Sequence, residues 1–315
     1  MKIMKKKGRV IRHLRYDFDR TAEEIWDIFK LAKNLKSKLQ NRIPHELLKG
    51  KSLAMIFAKP STRTRVSFEV GMTQLGGHAL FLGPNDLQLS RGETIGDTAR
   101  VLSRYISGIM ARVFAQKEIE ELAANATVPI INGLSDLYHP CQALTDIFTV
   151  FEKRGTLKKL TMCFIGDGDN NVTNSLMLLS ARLGINFIVA APKIYTTSKY
   201  ILDMANKEAR RTGANISITN DPFEAIKKAD VIHTDTWISM GRTDTKNRRK
   251  QFSPYQINTS LLKRAPEHAL VMHCLPAHRG EEITDDIIDG PQSIIFDQAE
   301  NRLHVQKAIL VLCMK

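Results

Sequence analysis

Short apolar segments alternate with helical segments along almost the whole chain of 315 residues. Such an alternation is typical of α/β domains, in which a helix connects each strand to the next parallel strand of the same sheet. Because one hydrophobic core rarely serves more than about 250–300 residues, a chain of this length favours two domains. The sequence therefore predicts an α/β fold with two domains, each a mainly parallel sheet flanked by helices.

Each half of the chain contains its own series of predicted strands and helices, and a long predicted helix connects the two halves. The predicted strands occupy residues 53–57, 78–82, 108–113, 128–131, 160–165, 186–190, 216–219, 231–234, 270–273 and 293–296. The predicted helices occupy residues 21–39, 65–75, 95–105, 117–125, 142–153 and 301–315, of which 142–153 is the connection between domains.

Polar motifs follow five of the predicted strands, those that end near residues 57, 131, 165, 234 and 273. Open parallel sheets bind their ligands beyond the carboxyl ends of the strands. The five motifs therefore predict one active-site cleft between the two domains.

The first motif, Ser61-Thr62-Arg63-Thr64-Arg65, follows an apolar strand and stands where a helix begins. The first N–H groups of a helix are free, and its dipole is positive there, so hydroxyl and guanidinium groups at this place favour a bound oxyanion. The alternative is an ordinary N-cap followed by solvated arginines. Because arginine in a first turn opposes the helix dipole unless an anion compensates it, the motif predicts a phosphate site.

The second motif is His139-Pro140-Cys141-Gln142, after the strand at 128–131. Proline suits the first turn of a helix, which would leave His139 and Gln142 able to donate to a carbonyl or phosphate oxygen. The alternative is a capping segment that contains a structural histidine.

The segment from Gly166 to Asn171 joins a strand to a helix but is not a dinucleotide-binding fingerprint, since Asn171 stands where the third glycine would be. Asn170 and Asn171 could contact a zwitterionic substrate or cap the helix.

Two further motifs end strands of the second half. Asp235 could bind an ammonium group or form an Asx turn. Cys274, in His273-Cys274-Leu275-Pro276, could be a reactive thiol, a metal ligand or an inert cysteine, and Pro276 raises the possibility of a cis peptide bond.

Composition excludes several classes of protein. The four cysteines form no C-x-x-C pair, which argues against a zinc knuckle or a disulfide framework and favours a reducing cytosol. No apolar run approaches the roughly 18–20 residues of a membrane span, and the basic start has no apolar region of a secretory signal behind it. A mitochondrial leader is disfavoured because a helix begins near Thr21. The net charge is +13, but the basic residues are mostly interspersed with acidic ones, and the sequence shows no recognition helix. We therefore expect no nucleic-acid partner.

Taken together, these motifs resemble those of the aspartate/ornithine carbamoyltransferase family over nearly the whole chain, from about Phe18 to the final helix. The first two motifs resemble the two parts of the family's carbamoyl-phosphate site. At Asp235, at Ser239-Met240-Gly241 and at the motif around Cys274, the chain is similar to the ornithine-specific members of the family. The basic loop of the aspartate-specific members is not found, and the putrescine-specific members differ at the Ser-Met-Gly stretch.

The resemblance implies a role for each matching residue. It implies carbamoyl-phosphate binding by Ser61, Thr62, Arg63, Thr64, Gln88, Arg112, His139, Pro140, Cys141, Gln142, Cys274, Leu275 and Arg302. It implies ornithine binding by Asn171, Asp235, Ser239 and Met240, and catalytic roles for Arg63, Arg112, His139, Asp235 and Cys274. The additional Asp169 before the asparagine pair leaves open whether Asn170 or Asn171 contacts ornithine.

The resemblance also implies the organisation and activity of the whole chain. Residues 1–147 would bind carbamoyl phosphate, residues 148–299 would bind ornithine, and the helix at 300–315 would pack on the first domain. The implied reaction transfers the carbamoyl group to the δ-amine of L-ornithine, giving L-citrulline and phosphate, without a metal or another cofactor. The implied protein is a cytoplasmic enzyme of arginine metabolism, and it forms a homotrimer or a multiple of trimers, because Gln88 would act in a neighbouring subunit's site.

Three alternatives remain open from the sequence. A carbamoyltransferase could use another amine, such as aspartate, putrescine or a modified ornithine. A non-catalytic protein could retain the phosphate site, although the presence of Arg63, His139 and Asp235 argues against it. A nucleic-acid binder would show strongly salt-dependent binding.

Overall fold

The computed structural model describes residues 5–6, 9–238 and 245–315. The chain divides into two compact units, of which the first comprises Met1–Thr145 with Asn301–Lys315 and the second comprises Asp146–Glu300. Each unit contains a parallel sheet with helices, and the predicted α/β class with two domains is confirmed. In the described part of the chain, no helix combines the length and the apolar character that crossing a membrane requires.

The strands are β1 (Lys5–Lys6), β2 (Arg9–Val10), β3 (Ser52–Phe57), β4 (His78–Leu82), β5 (Gly108–Arg112), β6 (Ile130–Leu134), β7 (Thr161–Ile165), β8 (Asn186–Ala190), β9 (Ile216–Thr219), β10 (Val231–Thr234) and β11 (Leu270–His273). The helices are α1 (Ala22–Gln40), α2 (Thr62–Gln74), α3 (Ile95–Leu102), α4 (Gln116–Asn125), α5 (Pro140–Arg154), α6 (Asn171–Leu183), α7 (Lys199–Thr212), α8 (Pro222–Ile226), α9 (Thr245–Phe252), α10 (Thr259–Leu262), α11 (Asp285–Ile288) and α12 (Ile295–Met314).

The sheet of the first unit has four parallel strands in the order β4-β3-β5-β6, and β1 and β2 form a separate antiparallel pair. The central strand β3 is buried at every residue from Leu53 to Phe57, as expected of a parallel strand covered on both faces. Helix α1 begins with a capping box between Thr21 and Glu24.

The sheet of the second unit has five parallel strands in the order β11-β10-β7-β8-β9. Several of its residues are buried, including Cys163 and Ile165 of the central strand β7 and Val271 of the edge strand β11, which lie in one apolar cluster. Because β10 lies between β7 and β11, the loops that follow these three strands leave the sheet side by side.

Two predicted strands differ most from the structure. The predicted strand at 293–296 is wrong, since Ser293 forms only an isolated bridge with Val271 and α12 begins at Ile295. This segment contains a run of only three apolar residues, Ile294 to Phe296, which is too short for its periodicity to distinguish strand from helix. The strand predicted at 128–131 is β6, which ends at Leu134. It extends past residue 131 because the buried polar side chain of Asn132 is satisfied by donating to Arg15 O at 2.8 Å and to Gln116 Oε1 at 3.1 Å.

Lys307 is a buried lysine on α12 within the first unit. Its Nζ donates to Gln74 Oε1 at 2.8 Å and lies 3.2 Å from His45 Nε2. Its stem packs against Gly71 so closely that a Cβ there would lie 3.3 Å from Lys307 Cγ. Burial lowers the pKa of Lys307 to about 8 because the charged form loses its hydration.

We expect the stability of the protein to rise with pH through this lysine. Between about pH 8 and the normal lysine pKa, the unfolded chain binds a proton that folded Lys307 has released, so rising pH favours the fold. Below that window the buried charge destabilises the fold in full, and Lys307→Met should raise the free energy of unfolding by on the order of 2 kcal/mol at pH 7. Urea unfolding of both proteins at pH 7 to 10 measures the difference, which should shrink as pH rises. The exposed Lys33 provides the control Lys33→Met, and a pH-independent difference for Lys307→Met would contradict the expectation.

Candidate functional site

In the first unit, two candidate motifs and Arg112 lie at the same edge of the sheet. The parallel register pairs Phe57 of β3 with Arg112 of β5, and Arg112 with Leu134 of β6. The segments that follow β3 and β6 therefore begin beside Arg112, and they carry Ser61 and His139.

The motif after β3 forms the beginning of α2. Ser61 is the N-cap, and its side chain accepts a hydrogen bond from Thr64 N at 3.4 Å. Arg65 makes a separate structural contact, since its Nε donates to Glu69 at 3.3 Å and its guanidinium lies 3.8 Å from the centre of the Phe81 ring. Half-buried Arg63 is thus the better candidate of the two arginines for an anion at this terminus.

Arg302, from α12, supplies a buried positive charge behind the same terminus. Its guanidinium donates to Thr64 Oγ1 at 3.1 Å and to Gln142 Oε1, so it connects the beginnings of α2 and α5. A buried guanidinium is tolerated where hydrogen bonds replace its lost hydration. These contacts bring together three of the residues that the sequence assigned to the phosphate substrate.

His139 and Pro140 begin α5. The carbonyl oxygen of His139 accepts from Gln142 N at 3.0 Å and from Ala143 N at 3.1 Å, and Pro140 is the first residue of the helix. Burial, followed by the charges of Arg302, Arg112 and Lys59, holds the pKa of His139 well below its usual value. His139 is therefore neutral at neutral pH and can donate from one ring nitrogen.

Lys59 is a residue of this edge that the sequence analysis missed. It lies two residues after β3, and burial together with the charge of Arg112 lowers its pKa. Its Nζ lies 4.7 Å from the centre of the Phe114 ring. Its place just after a central parallel strand is the signal that could have identified it.

Two other predicted residues have different surroundings. Cys141 is fully buried, its Sγ donates to Asn132 O at 3.4 Å, and burial raises its pKa to about 12. Gln88 is exposed on a short 3₁₀ turn, Gln88–Arg91, in the connection after β4.

In the second unit, the loops after β7, β10 and β11 bring an asparagine, a carboxylate and a thiol together. Cys274 Sγ donates to Asp235 Oδ1 at 2.9 Å, and Thr236 N donates to the same oxygen at 2.8 Å. Asn170 Nδ2 donates to Asp235 Oδ2 at 3.4 Å. Asp235 is mostly buried, so its charge acts with little screening by solvent.

Asn170 and Asn171 have different places in the structure. Asn170 is the N-cap of α6, where its Oδ1 accepts from Thr173 N at 2.8 Å while its Nδ2 reaches Asp235. Asn171 is the first residue of the helix and is half-buried. The contact with Asp235 makes Asn170 a second candidate beside Asn171 for the acceptor substrate.

The segment after β11 is held in an unusual backbone conformation. Leu275 has φ +58°, a left-handed value that is strained for a leucine, and the Leu275-Pro276 peptide bond is cis. Leu275 N donates to His273 Nδ1 at 2.8 Å, so the ring proton lies on Nε2, which donates to buried Glu282 at 3.1 Å. Burial raises the pKa of Glu282, but the hydrogen bonds from His273 and His278 N outweigh it and leave the pKa lowered.

Ser239 and Met240, which the sequence analysis assigned to ornithine binding, lie outside the described residues. Within the described residues, two groups of side chains have the composition of a metal site, namely Asp235 with His273 and Cys274, and His278 with Glu281 and Glu282. Members of both groups already form hydrogen bonds within the protein: Cys274 with Asp235, and His273 with Glu282.

Cys274 should be the one cysteine that reacts in the folded protein. It is partly exposed, whereas Cys141, Cys163 and Cys313 are buried, and burial of a thiol suppresses its thiolate form. Treatment of the native protein with iodoacetamide, followed by peptide mass spectrometry, should find about one modified thiol, and Cys274→Ser should remove it. Rapid labelling of Cys141 in the native protein would contradict this exposure argument.

Comparison with known sequences finds one family along both units. A model described as the aspartate/ornithine carbamoyltransferase carbamoyl-P binding domain matches residues 12–152. A model described as the Asp/Orn binding domain of the same family matches residues 158–313.

Individual relatives agree with the family match. The chain is 56% identical over 297 residues to the anabolic ornithine carbamoyltransferase of Pyrococcus furiosus, which is 94% of each chain. It is 52% identical over 302 residues to the ornithine carbamoyltransferase of Archaeoglobus fulgidus, which is 96% of this chain and 97% of the relative. The solved structure of the Pyrococcus furiosus ornithine carbamoyltransferase superposes with a TM-score of 0.93 at 55% identity and covers 96% of this chain and 97% of its own.

Proposed function

The chain belongs to the aspartate/ornithine carbamoyltransferase family, and on that basis we propose that it transfers the carbamoyl group of carbamoyl phosphate to L-ornithine. The products are L-citrulline and phosphate. The observation that carries the choice of ornithine is the high identity, over nearly the full length, to relatives that are ornithine carbamoyltransferases. The hydrogen-bonded group of Asp235, Cys274 and Asn170 supports it, because a buried carboxylate attracts an ammonium group.

We propose that the first unit binds carbamoyl phosphate. The phosphate would lie at the beginning of α2, against the hydroxyls of Ser61 and Thr62 and the guanidinium of Arg63. Arg112 would add a second guanidinium, and Arg302 would hold Thr64 and Gln142 in place from behind. We assign the ligand domains to residues 1–147 and 148–299, with the helix of 300–315 belonging to the first.

The proposed chemistry needs orientation and charge stabilisation from the protein and no covalent intermediate with it. The neutral δ-amine attacks the carbonyl carbon and a C–N bond forms. Phosphate departs with the electron pair of the C–O bond and takes up the proton that the amine nitrogen loses. Neutral His139 and the hydroxyl of Thr64 are donors for the carbonyl oxygen as its negative charge develops. Arg63 and Arg112 would stabilise the leaving phosphate.

On the acceptor side, we propose that Asp235 holds the α-ammonium group of ornithine. Asn170 or Asn171 would contribute an amide contact, and Cys274 would lie near the reacting amine. We also propose a homotrimer or a multiple of trimers, in which exposed Gln88 acts in a neighbouring subunit's site. We further propose a cytosolic location, and a biosynthetic direction that the anabolic relative supports.

The acceptor is tested by incubating the protein with carbamoyl phosphate and L-ornithine, L-aspartate or putrescine in parallel, and measuring carbamoylated product and phosphate. We expect citrulline and an equal amount of phosphate with ornithine, and neither above background with the other two amines. Product with aspartate or putrescine alone would retain the phosphate assignment and overturn the acceptor. The absence of product with all three would favour a non-catalytic binding protein.

The two arginines of the first motif provide a matched pair. Arg63→Ala should lower kcat/KM by about 10²–10³-fold, because a charge-stabilising donor is lost from the transition state. Arg65→Ala should change it by less than about threefold, since Arg65 contacts Glu69 and Phe81 on the surface of the unit. Steady-state kinetics of the two variants with both substrates measures the contrast, and similar losses in both would refute the assignment of Arg63 alone.

A further inference from the structure

Arg248, on α9, is a buried arginine of the second unit that no motif of the sequence identified. Its Nε donates to Trp237 O at 2.9 Å, in the loop after β10. Its Nη2 forms an ion pair with Asp167, in the loop after β7. One guanidinium therefore joins the two loops that carry Asp235 and Asn170.

Aromatic rings enclose this guanidinium. Its central carbon lies 4.3 Å from the centre of the Tyr195 ring and 5.0 Å from that of Phe252. Cation–π contacts of a desolvated guanidinium are favourable, and they leave the in-plane N–H groups free to donate to Asp167 and Trp237. Arg248 is thus fixed in both position and orientation.

The loop after β7 is held at neighbouring points as well. The second carboxylate oxygen of Asp167 accepts from Asp169 N at 3.1 Å. A Cβ on Gly168 would lie only 2.8 Å from Tyr195 O, so the backbone of this loop packs directly against the segment that supplies the Tyr195 ring. The position of Asn170, two residues further on, depends on these contacts.

We propose that Arg248 is a positioning residue for the acceptor substrate. It acts through Asp167 and Trp237 to hold Asn170 and Asp235 in fixed positions relative to each other. This inference rests on the proposed function, because it takes Asp235 and, of the two candidate asparagines, Asn170 as the side chains that contact ornithine. The hydrogen bond between them, at 3.4 Å, is longer than the contacts that surround it, so it does not by itself fix the two loops. The guanidinium supplies the connection.

The expected consequence is selective for ornithine. Arg248→Lys keeps the charge but cannot donate in the same planar geometry to Asp167 and Trp237. A shift of the two loops by about 1 Å is enough to lower kcat/KM for ornithine by on the order of 10–100-fold. The KM for carbamoyl phosphate should stay within about twofold, since the residues proposed to hold its phosphate group, Ser61, Thr62, Arg63 and Arg112, lie in the first unit.

The experiment compares the wild type with Arg248→Lys, Asp167→Asn and the double variant, each checked for folding by circular dichroism. Both single variants should raise the KM for ornithine, and the double variant should raise it no further than Arg248→Lys alone, because either change disrupts the same contact between residues 248 and 167. Arg249→Met is the matched control: Arg249 is the next residue, is exposed and pairs with Glu281, so its loss should leave both KM values unchanged. Additive effects, or an equal rise in the KM for carbamoyl phosphate, would overturn the proposal.

A milder variant keeps the test valid if breaking the buried pair prevents folding. Tyr195→Leu removes one ring from the guanidinium and retains the ion pair, and it should raise the KM for ornithine by about threefold. Suppose that Arg248→Lys does not fold and that Tyr195→Leu folds with unchanged ornithine kinetics. Arg248 would then have only a structural role, and the proposal would be refuted.

Tryptophan fluorescence provides a readout that is independent of turnover. The chain has two tryptophans, so Trp26→Phe leaves Trp237 as the sole reporter beside Arg248. L-norvaline retains the α-amino acid group of ornithine and lacks the δ-amine, so its binding should change the Trp237 emission. The midpoint of this titration should lie at a concentration at least about tenfold higher in Arg248→Lys than in the parent protein. An equal midpoint in both would overturn the proposal, whereas a wild type inactive with ornithine would refute the proposed function instead.

Discussion

The parallel register of the two sheets is the constraint on which both candidate sites depend. A parallel strand ends at the same edge as its neighbours, so segments far apart in sequence emerge side by side. In the first unit this brings Arg112 between the motifs of Ser61 and His139. In the second it brings both Asn170 and Cys274 within hydrogen-bonding distance of Asp235. The helices α2, α5 and α6 then begin at these edges and present their N-termini there.

Each unit adds a buried guanidinium to this arrangement. Arg302 joins the beginnings of α2 and α5 through Thr64 and Gln142, and Arg248 joins the loops after β7 and β10. A buried charge destabilises a fold unless its donors are satisfied, so these arginines hold their partners in defined positions. Loops, which are the most mobile parts of an α/β domain, become rigid enough in this way to place side chains for a reaction.

The sequence allowed the sheet edges and the local motifs to be predicted, because strand periodicity and helix-start signals are local. It did not identify Arg248 or Lys59, since each depends on neighbours that only the fold brings together. Arg302 was found through the family resemblance, because its partner Thr64 is 238 residues away in the chain. The choice between Asn170 and Asn171 has the same origin: both suit the start of a helix, and the contact with Asp235 is what separates them. The wrong prediction of a strand at 293–296 has a related cause. A short apolar run does not itself show whether it forms a strand or, as here, contains the start of α12.

The proposed role of Asp235 would also explain which amine of ornithine reacts. Ornithine has two amines, and each is a nucleophile only when it is neutral. A carboxylate beside an amine favours its protonated form, so the α-amine held by Asp235 would remain an ammonium group and could not attack. The δ-amine has no such partner assigned to it, and a neighbouring guanidinium would favour its neutral form. Asp235 would therefore contribute to selectivity as well as to binding: the same charge that attracts the substrate protects one of its two amines and leaves the other to react.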